Sequence, residues 1–191
     1  MPPELQLFPG AGLLTERLSL RLASPIYAQG VLDYYTHNKA HLTPWEPARD
    51  DDFYTFSGQM QRLTDMARVM EQGYAVSLLM FPRQSDDVIG ICNFSNIVRG
   101  AFQACHLGFA IAGQEQGKGL MQEALSAGIY FMFHHYGLHR IMANYRPENH
   151  RSGKLLASLG FEVEGKAKSY LKINGEWTDH VLTSLINEAM T

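Results

Sequence analysis

The run His106-Leu107-Gly108-Phe109-Ala110-Ile111-Ala112-Gly113-Gln114-Glu115-Gln116-Gly117-Lys118-Gly119-Leu120 limits what this 191-residue chain can fold into more than any other segment. An apolar strand enters a glycine-rich turn, which opens directly into a helix with Leu120, Ala124, Ala127, Tyr130 and Phe131 at helical spacing. The first N–H groups of a helix have no partner inside it, and the macrodipole adds partial positive charge at that end. Glycines let a ligand approach the backbone closely. Strand, turn and helix in this order make an anion site suited to a phosphate. Glycine at a helix start is also ordinary turn punctuation, so the context decides.

Two nucleotide readings fail on spacing. A Walker A loop needs G-x-x-x-x-G-K-[ST]. Here three residues separate Gly113 from Gly117, and Gly119 follows Lys118, so no hydroxyl is placed for Mg²⁺. A dinucleotide fold puts G-x-G-x-x-G after the first strand of a βαβ unit, with an acidic residue about 20 positions later. This turn instead follows three apolar strands, Tyr74–Phe81, Val88–Val98 and Ala101–Ala112, whose short connections imply an antiparallel meander.

The remaining elements follow from period and punctuation. Arg17-Leu18-Ser19-Leu20-Arg21-Leu22 alternates as a half-buried strand, and Ser24-Pro25 opens a helix to about His37. Residues 42–54 have no period and read as a loop. Ser57 starts a second helix with Met60, Leu63, Ala67 and Met70 on one face, stopped by Gly73. The long helix spans Gly117–Tyr136. Arg140–Tyr145 is a short strand and Asn149–Leu159 a helix. Phe161–Ile173 and Trp177–Leu185 form a hairpin around Asn174-Gly175. The predicted order is β-α-α-β-β-β-α-β-α-β-β, a mixed α/β domain over 1–191.

Composition narrows the function classes. A content of 46% hydrophobic and 11% aromatic residues excludes disorder. Two cysteines make no disulfide scaffold, and no CxxC or Cys/His cluster offers a metal site. Apolar runs such as Ala75–Phe81 fall far short of the ~20 residues of a membrane span. Met1-Pro2-Pro3-Glu4 has neither the basic region nor the apolar stretch of a signal peptide. These features predict a soluble, cytoplasmic protein without metal, membrane contact or a nucleic-acid motif. The tight Arg99-Gly100 turn predicts strand pairs whose numbers sum to 197–199, setting Cys92 near Cys105 as free thiols. Charge is uneven: residues 1–100 hold eight Lys/Arg against eleven Asp/Glu. Residues 140–172 hold Arg140, Arg146, Arg151, Lys154, Lys166, Lys168 and Lys172 against Glu148, Glu162 and Glu164. That suits a cationic ligand at one part and a polyanion at another.

Gln114-Glu115-Gln116-Gly117-Lys118-Gly119 meets the pattern [QR]-x-x-G-x-[GA], and here the chain resembles the GNAT superfamily of acetyl-CoA-dependent N-acetyltransferases. The element order matches over nearly the whole length. Leu42-Thr43-Pro44-Trp45-Glu46-Pro47, Asn93-Phe94-Ser95-Asn96-Ile97-Val98-Arg99-Gly100, His139-Arg140-Ile141-Met142-Ala143-Asn144-Tyr145 and Asp179-His180-Val181-Leu182 look like the ribosomal-protein-alanine N-acetyltransferases of the RimJ type. The resemblance implies a GNAT fold: about seven strands in a mixed, largely antiparallel sheet, with about four helices. It implies acetyl-CoA as cosubstrate and, as substrate, the N-terminal α-amine of a protein, an alanine of a small-subunit ribosomal protein. Association with the ribosome goes with that. A GNAT enzyme of small amines and a non-catalytic CoA-binding module are the alternatives.

The resemblance also assigns roles. Backbone groups of Phe109, Ala110 and Ile111 would bind the pantetheine arm, one amide serving as oxyanion donor. Gln114 opens the pyrophosphate motif, and the N–H groups of Gln116, Gly117, Lys118, Gly119 and Leu120 would hold the pyrophosphate. Asn149-His150-Arg151-Ser152 matches N-x-x-[SA]: Asn149 would contact pantetheine and Ser152 would lie near the sulfur. Many relatives carry a tyrosine seven residues after that asparagine as acid for the thiolate. This chain has Leu156, which leaves Ser152 as donor or as a helix cap. On the amine side Glu46 and His106 are the candidate bases. Asp50-Asp51-Asp52 can attract a basic peptide, and Glu123 reads as supporting rather than catalytic.

Overall fold

The computed structural model describes residues 6–8 and 12–190. Among the described residues nine strands form one sheet in the order β1-β2-β3-β4-β5-β6-β7-β9-β8. They are β1 (Gln6–Phe8), β2 (Gly12–Leu14), β3 (Leu18–Leu22), β4 (Val76–Pro82), β5 (Gly90–Val98), β6 (Ala104–Ile111), β7 (Arg140–Met142), β8 (Glu162–Ile173) and β9 (Glu176–Ile186). The helices are α1 (Ala28–His37), α2 (Lys39–Leu42), α3 (Phe56–Glu71), α4 (Leu120–His134) and α5 (His150–Ser158). All pairings are antiparallel except β6 with β7. The mixed α/β architecture with a largely antiparallel sheet is therefore as read. The sheet exceeds the expected seven strands by the β1–β2 hairpin, whose three-residue strands are too short to show a period.

β4 is buried on both faces, so neighbours in sequence serve different cores. Leu78 and Met80 pack with Leu20, Phe94, Leu125 and Met132 under α4 and α5. Leu79 and Phe81 pack with Val31, Tyr35 and Leu63 under α1 and α3. A continuous apolar run is what a two-sided strand requires. Thr55 caps α3, its Oγ1 accepting from Gly58 N at 3.0 Å, two residues before the expected start at Ser57. The Asn174-Gly175 turn is present, both residues with positive φ (45° and 86°). The loop expected over 42–54 contains two 3₁₀ turns, Thr43–Trp45 and Asp52–Tyr54.

The register between β5 and β6 corrects one expectation. Ile91 pairs with Ala110 and Ser95 with His106, numbers that sum to 201 rather than 197–199. Arg99-Gly100 is not a tight turn: Val98 pairs with Ala104 across residues 99–103, with positive φ at Gly100 and Gln103, and the register shifts between Ser95 and Val98. Cys92 consequently faces Phe109, and Cys105 lies four positions further along β6, roughly 13 Å away by strand rise. The thiols are not neighbours. Both are free and buried, and burial pushes each up to about 12.

α4 crosses the sheet closely because Gly128 has no side chain. A Cβ there would lie 2.8 Å from the Phe94 ring, which is fully buried. Gly128→Ala should cost about 1–3 kcal/mol by overpacking, outweighing the helix propensity gained. Thermal or urea denaturation measures the loss.

Candidate active site

The site begins where a parallel pair stops. β6 and β7 share Ala104–Arg140, Cys105–Ile141 and His106–Met142, and no further pair. β7's continuation stays with its other neighbour β9, through Ala143 N to Thr183 O (3.0 Å) and Tyr145 N to Val181 O (3.1 Å). The second half of β6, through Ile111, has β5 on one side and, among the described residues, no strand on the other. Gly108 is exposed there and Phe109, Ala110 and Ile111 are half-buried. The parting leaves a slot through the sheet.

The glycine turn closes one end of the slot. Gly113–Glu115 form a 3₁₀ turn, and Gly117 and Gly119 both have positive φ (74° and 76°). The helix therefore starts at Leu120, not at Gly117, with Gly119 as left-handed N-cap. The N–H groups of Gly117, Lys118, Gly119 and Leu120 donate to no described residue. Nothing occupies the space where a Gly117 Cβ would stand. Four free donors around an open space fit a diphosphate.

Several contacts fix this cradle. Glu123 accepts from Thr15 Oγ1 (2.6 Å), Arg17 N (2.8 Å) and Arg17 Nε (2.6 Å), while Arg17 Nη1 donates to Lys118 O (2.9 Å). Burial alone would raise the Glu123 pKa; hydrogen bonds from Thr15 and Arg17 and the guanidinium charge outweigh it, and the net shift is downward. Glu123 is thus a brace between α4 and the turn that leads into β3. Gly113 N donates to Asn38 Oδ1 (3.0 Å), and His41 Nε2 lies 3.3 Å from Ile111 O and 3.2 Å from Gln116 Nε2. Lys118 pairs with Glu115. Gln114 is exposed and its side chain bonds no described residue. Arg151 of α5 donates to Gln116 Oε1 and has no carboxylate partner among the described residues, so a cation without a counter-ion stands beside the cradle.

α5 packs into the core that α4 covers. Asn149 is its N-cap, Oδ1 accepting from Ser152 N at 3.2 Å. Ser152 is therefore not the cap: its hydroxyl is free of described partners and partly exposed. Leu156 is 1% exposed and belongs to the core.

On the opposite face, beneath α3, lies a groove of about 610 Å³ whose lining includes Asp50, Asp52, Asp65, Asn93 and Ser95, with Arg62 as its one cation among the described residues. His106 sits directly opposite Ser95, on the same face, at the last paired position before the slot. Its Nδ1 and the Oδ1 of Asn93 are buried without described partners. Burial lowers the His106 pKa, so the ring is neutral near pH 7. Glu46 is elsewhere in this wall. It bonds Arg49 (3.3 Å), its carbonyl accepts from Asn174 N, and its charge adds to burial, the main cause, in raising the hydroxyl pKa values of Tyr34, Tyr35 and Tyr54. No hydrogen bond links Glu46 to His106 or Ser152.

A slot through a sheet, with a free-amide cradle at its end and a capped helix beside it, is matched by known proteins. The model of the acetyltransferase (GNAT) domain matches residues 17–162. The chain belongs to the GNAT acetyltransferase family. It is 50% identical over 177 residues to the "[Ribosomal protein uS5]-alanine N-acetyltransferase" of Escherichia coli, covering 93% of this chain and 91% of that protein. The crystal structure of the ribosomal-protein-S5-alanine acetyltransferase of Vibrio fischeri superposes with a TM-score of 0.88 at 40% identity, over 93% of this chain and 97% of that one. Mycobacterium smegmatis RimJ in complex with CoA-disulfide superposes at 0.86 with 27% identity, over 97% and 87%.

The brace, the Asn38 and His41 contacts and the Arg151–Gln116 bond escape sequence reasoning, because partners so far apart in the chain leave no local signal. Glu123 tests the brace. Its carboxylate is held below its unfolded pKa, so its stabilisation is present above the unfolded pKa and is lost as pH falls through the folded one. Glu123→Gln should cost about 1–3 kcal/mol at pH 7, in the range of charged hydrogen bonds. The gap from wild type should close as pH drops below 4; denaturation at both pH values measures it.

Proposed function

We propose that this acetyltransferase moves the acetyl group of acetyl-CoA to the N-terminal α-amine of a protein, an alanine of a small-subunit ribosomal protein. The observation that carries the reading is the slot itself, open to a free-amide cradle on one side and to an acidic groove on the other. The 50% identity to the uS5-alanine enzyme supports the acceptor. Over residues 1–191 the chain acts as one N-acetyltransferase domain.

Acetyl-CoA, when bound, supplies an activated acyl carbon and a thiolate leaving group. Gly117 to Leu120 hold the pyrophosphate through backbone N–H groups, helped by Arg151, whereas the Gln116 N–H expected among them is spent on Gly113 O. Phe109, Ala110 and Ile111 present strand peptide groups to the pantetheine, and Asn149 offers its free amide nitrogen. Ser152 donates a hydrogen bond at the sulfur. Asp50 and Asp52 attract the cationic end of the peptide, Asp65 being paired with Arg68. An α-amine ionises near ~8, so neutral His106 beside the slot needs only to take or relay one proton. Glu46 shapes the wall of the acceptor side. The protein works in the cytoplasm in contact with ribosomal proteins.

A thiol-release assay should show turnover on peptides with N-terminal alanine and little on polyamines or aminoglycosides. Turnover on small amines alone favours a small-amine enzyme, and CoA binding without turnover favours a binding module. Ser152→Ala should lower kcat several-fold with little change in Tm, since Asn149 and not Ser152 caps α5. A drop in Tm with unchanged kcat would remove Ser152 from the site.

A further inference from the structure

Leu156 stands buried where related enzymes carry a tyrosine, yet a phenol reaches the same helix from another element. Tyr145 lies three residues past Met142, bridged to β9 by Tyr145 N to Val181 O (3.1 Å) and Val181 N to Tyr145 O (2.8 Å). Counting three residues on from the His106–Met142 pair sets it level with Phe109, across the slot. Its ring lies on α5 at Gly153: a Cβ there would stand 2.9 Å from Tyr145 Cε2, Cζ and Oη. Gly153 shares one helix face with Asn149, Ser152 and Leu156. Tyr145 is half-buried, and its hydroxyl bonds no described residue.

We propose that Tyr145 is the catalytic proton donor to the departing CoA sulfur, a phenol supplied from the end of β7 in place of one on α5. The proposal rests on the acetyltransferase reading above. Glycine at 153 is the enabling feature, since any side chain there displaces the ring. Acidity decides between the two hydroxyls at the site. Phenols and thiols ionise at about 10 and 8.5, close enough for proton transfer. The hydroxyl of Ser152 is a far weaker acid, suited to hydrogen bonding alone. As the amine nitrogen bonds to the acetyl carbon, the C–S bond breaks and sulfur leaves with the electron pair. Tyr145 Oη–H protonates that sulfur, the amine's surplus proton leaves through His106 or water, and solvent restores the phenol.

Tyr145→Phe keeps the ring on Gly153 and removes only the hydroxyl. It should lower kcat at least tenfold, the low end of general acid catalysis, with KM for acetyl-CoA and Tm unchanged. A second readout needs no turnover. Calorimetry should find wild type binding CoA more tightly than desulfo-CoA, and Tyr145→Phe binding the two alike. An unchanged kcat and an unchanged preference would overturn the proposal while leaving the transferase reading intact. Equal loss of CoA and desulfo-CoA binding, or a fallen Tm, would assign Tyr145 a structural role and overturn it too. Wild type that binds no CoA would remove the transferase reading and this proposal together.

Discussion

Two parallel strands that share three residue pairs and then separate leave peptide groups facing a gap, and such groups demand a partner. In a closed sheet the cost would be severe. Here the groups of β6 beyond His106 meet solvent, so the opening is tolerable and a ligand that supplies hydrogen bonds is favoured. Everything else at the site is arranged around that parting. The Arg17–Glu123 brace fixes the glycine turn at one end. Asn149 caps the helix that flanks it, and the β9 bonds to Ala143 and Tyr145 hold β7's continuation away from β6.

The two faces of the slot differ in chemistry for a sequence reason. Alternation sends Leu107 and Phe109 toward the α4 and α5 core, while His106 and Gly108 face α3. One face thereby receives the free amides and cations that suit a phosphorylated carrier. The other receives aspartates, Asn93 and a neutral imidazole that suit an amine. A transfer between two such ligands needs them to meet edge on, and a hole in a sheet provides this.

Local signals made much of the fold legible. Alternation gave β3, apolar length gave the buried β4, and Asn174-Gly175 gave the β8–β9 turn. The cradle was legible because its glycines occur in a short motif. What failed did so for physical reasons. The β5–β6 register moved because five residues, including left-handed Gly100 and Gln103, form the connection. The β1–β2 hairpin is too short for a period. Tyr145 was visible in a family-like stretch, but only its packing on Gly153 shows where its ring goes.

The half of β6 that pairs with β5 alone and the glycine turn together form the proposed acetyl-CoA slot. Amide hydrogen exchange with and without CoA tests this at residue resolution. Slowed exchange confined to residues 107–111 and 116–120 and the start of α5 is the expected result. Protection at the β1–β2 hairpin or along α3, with 107–120 unchanged, would contradict it.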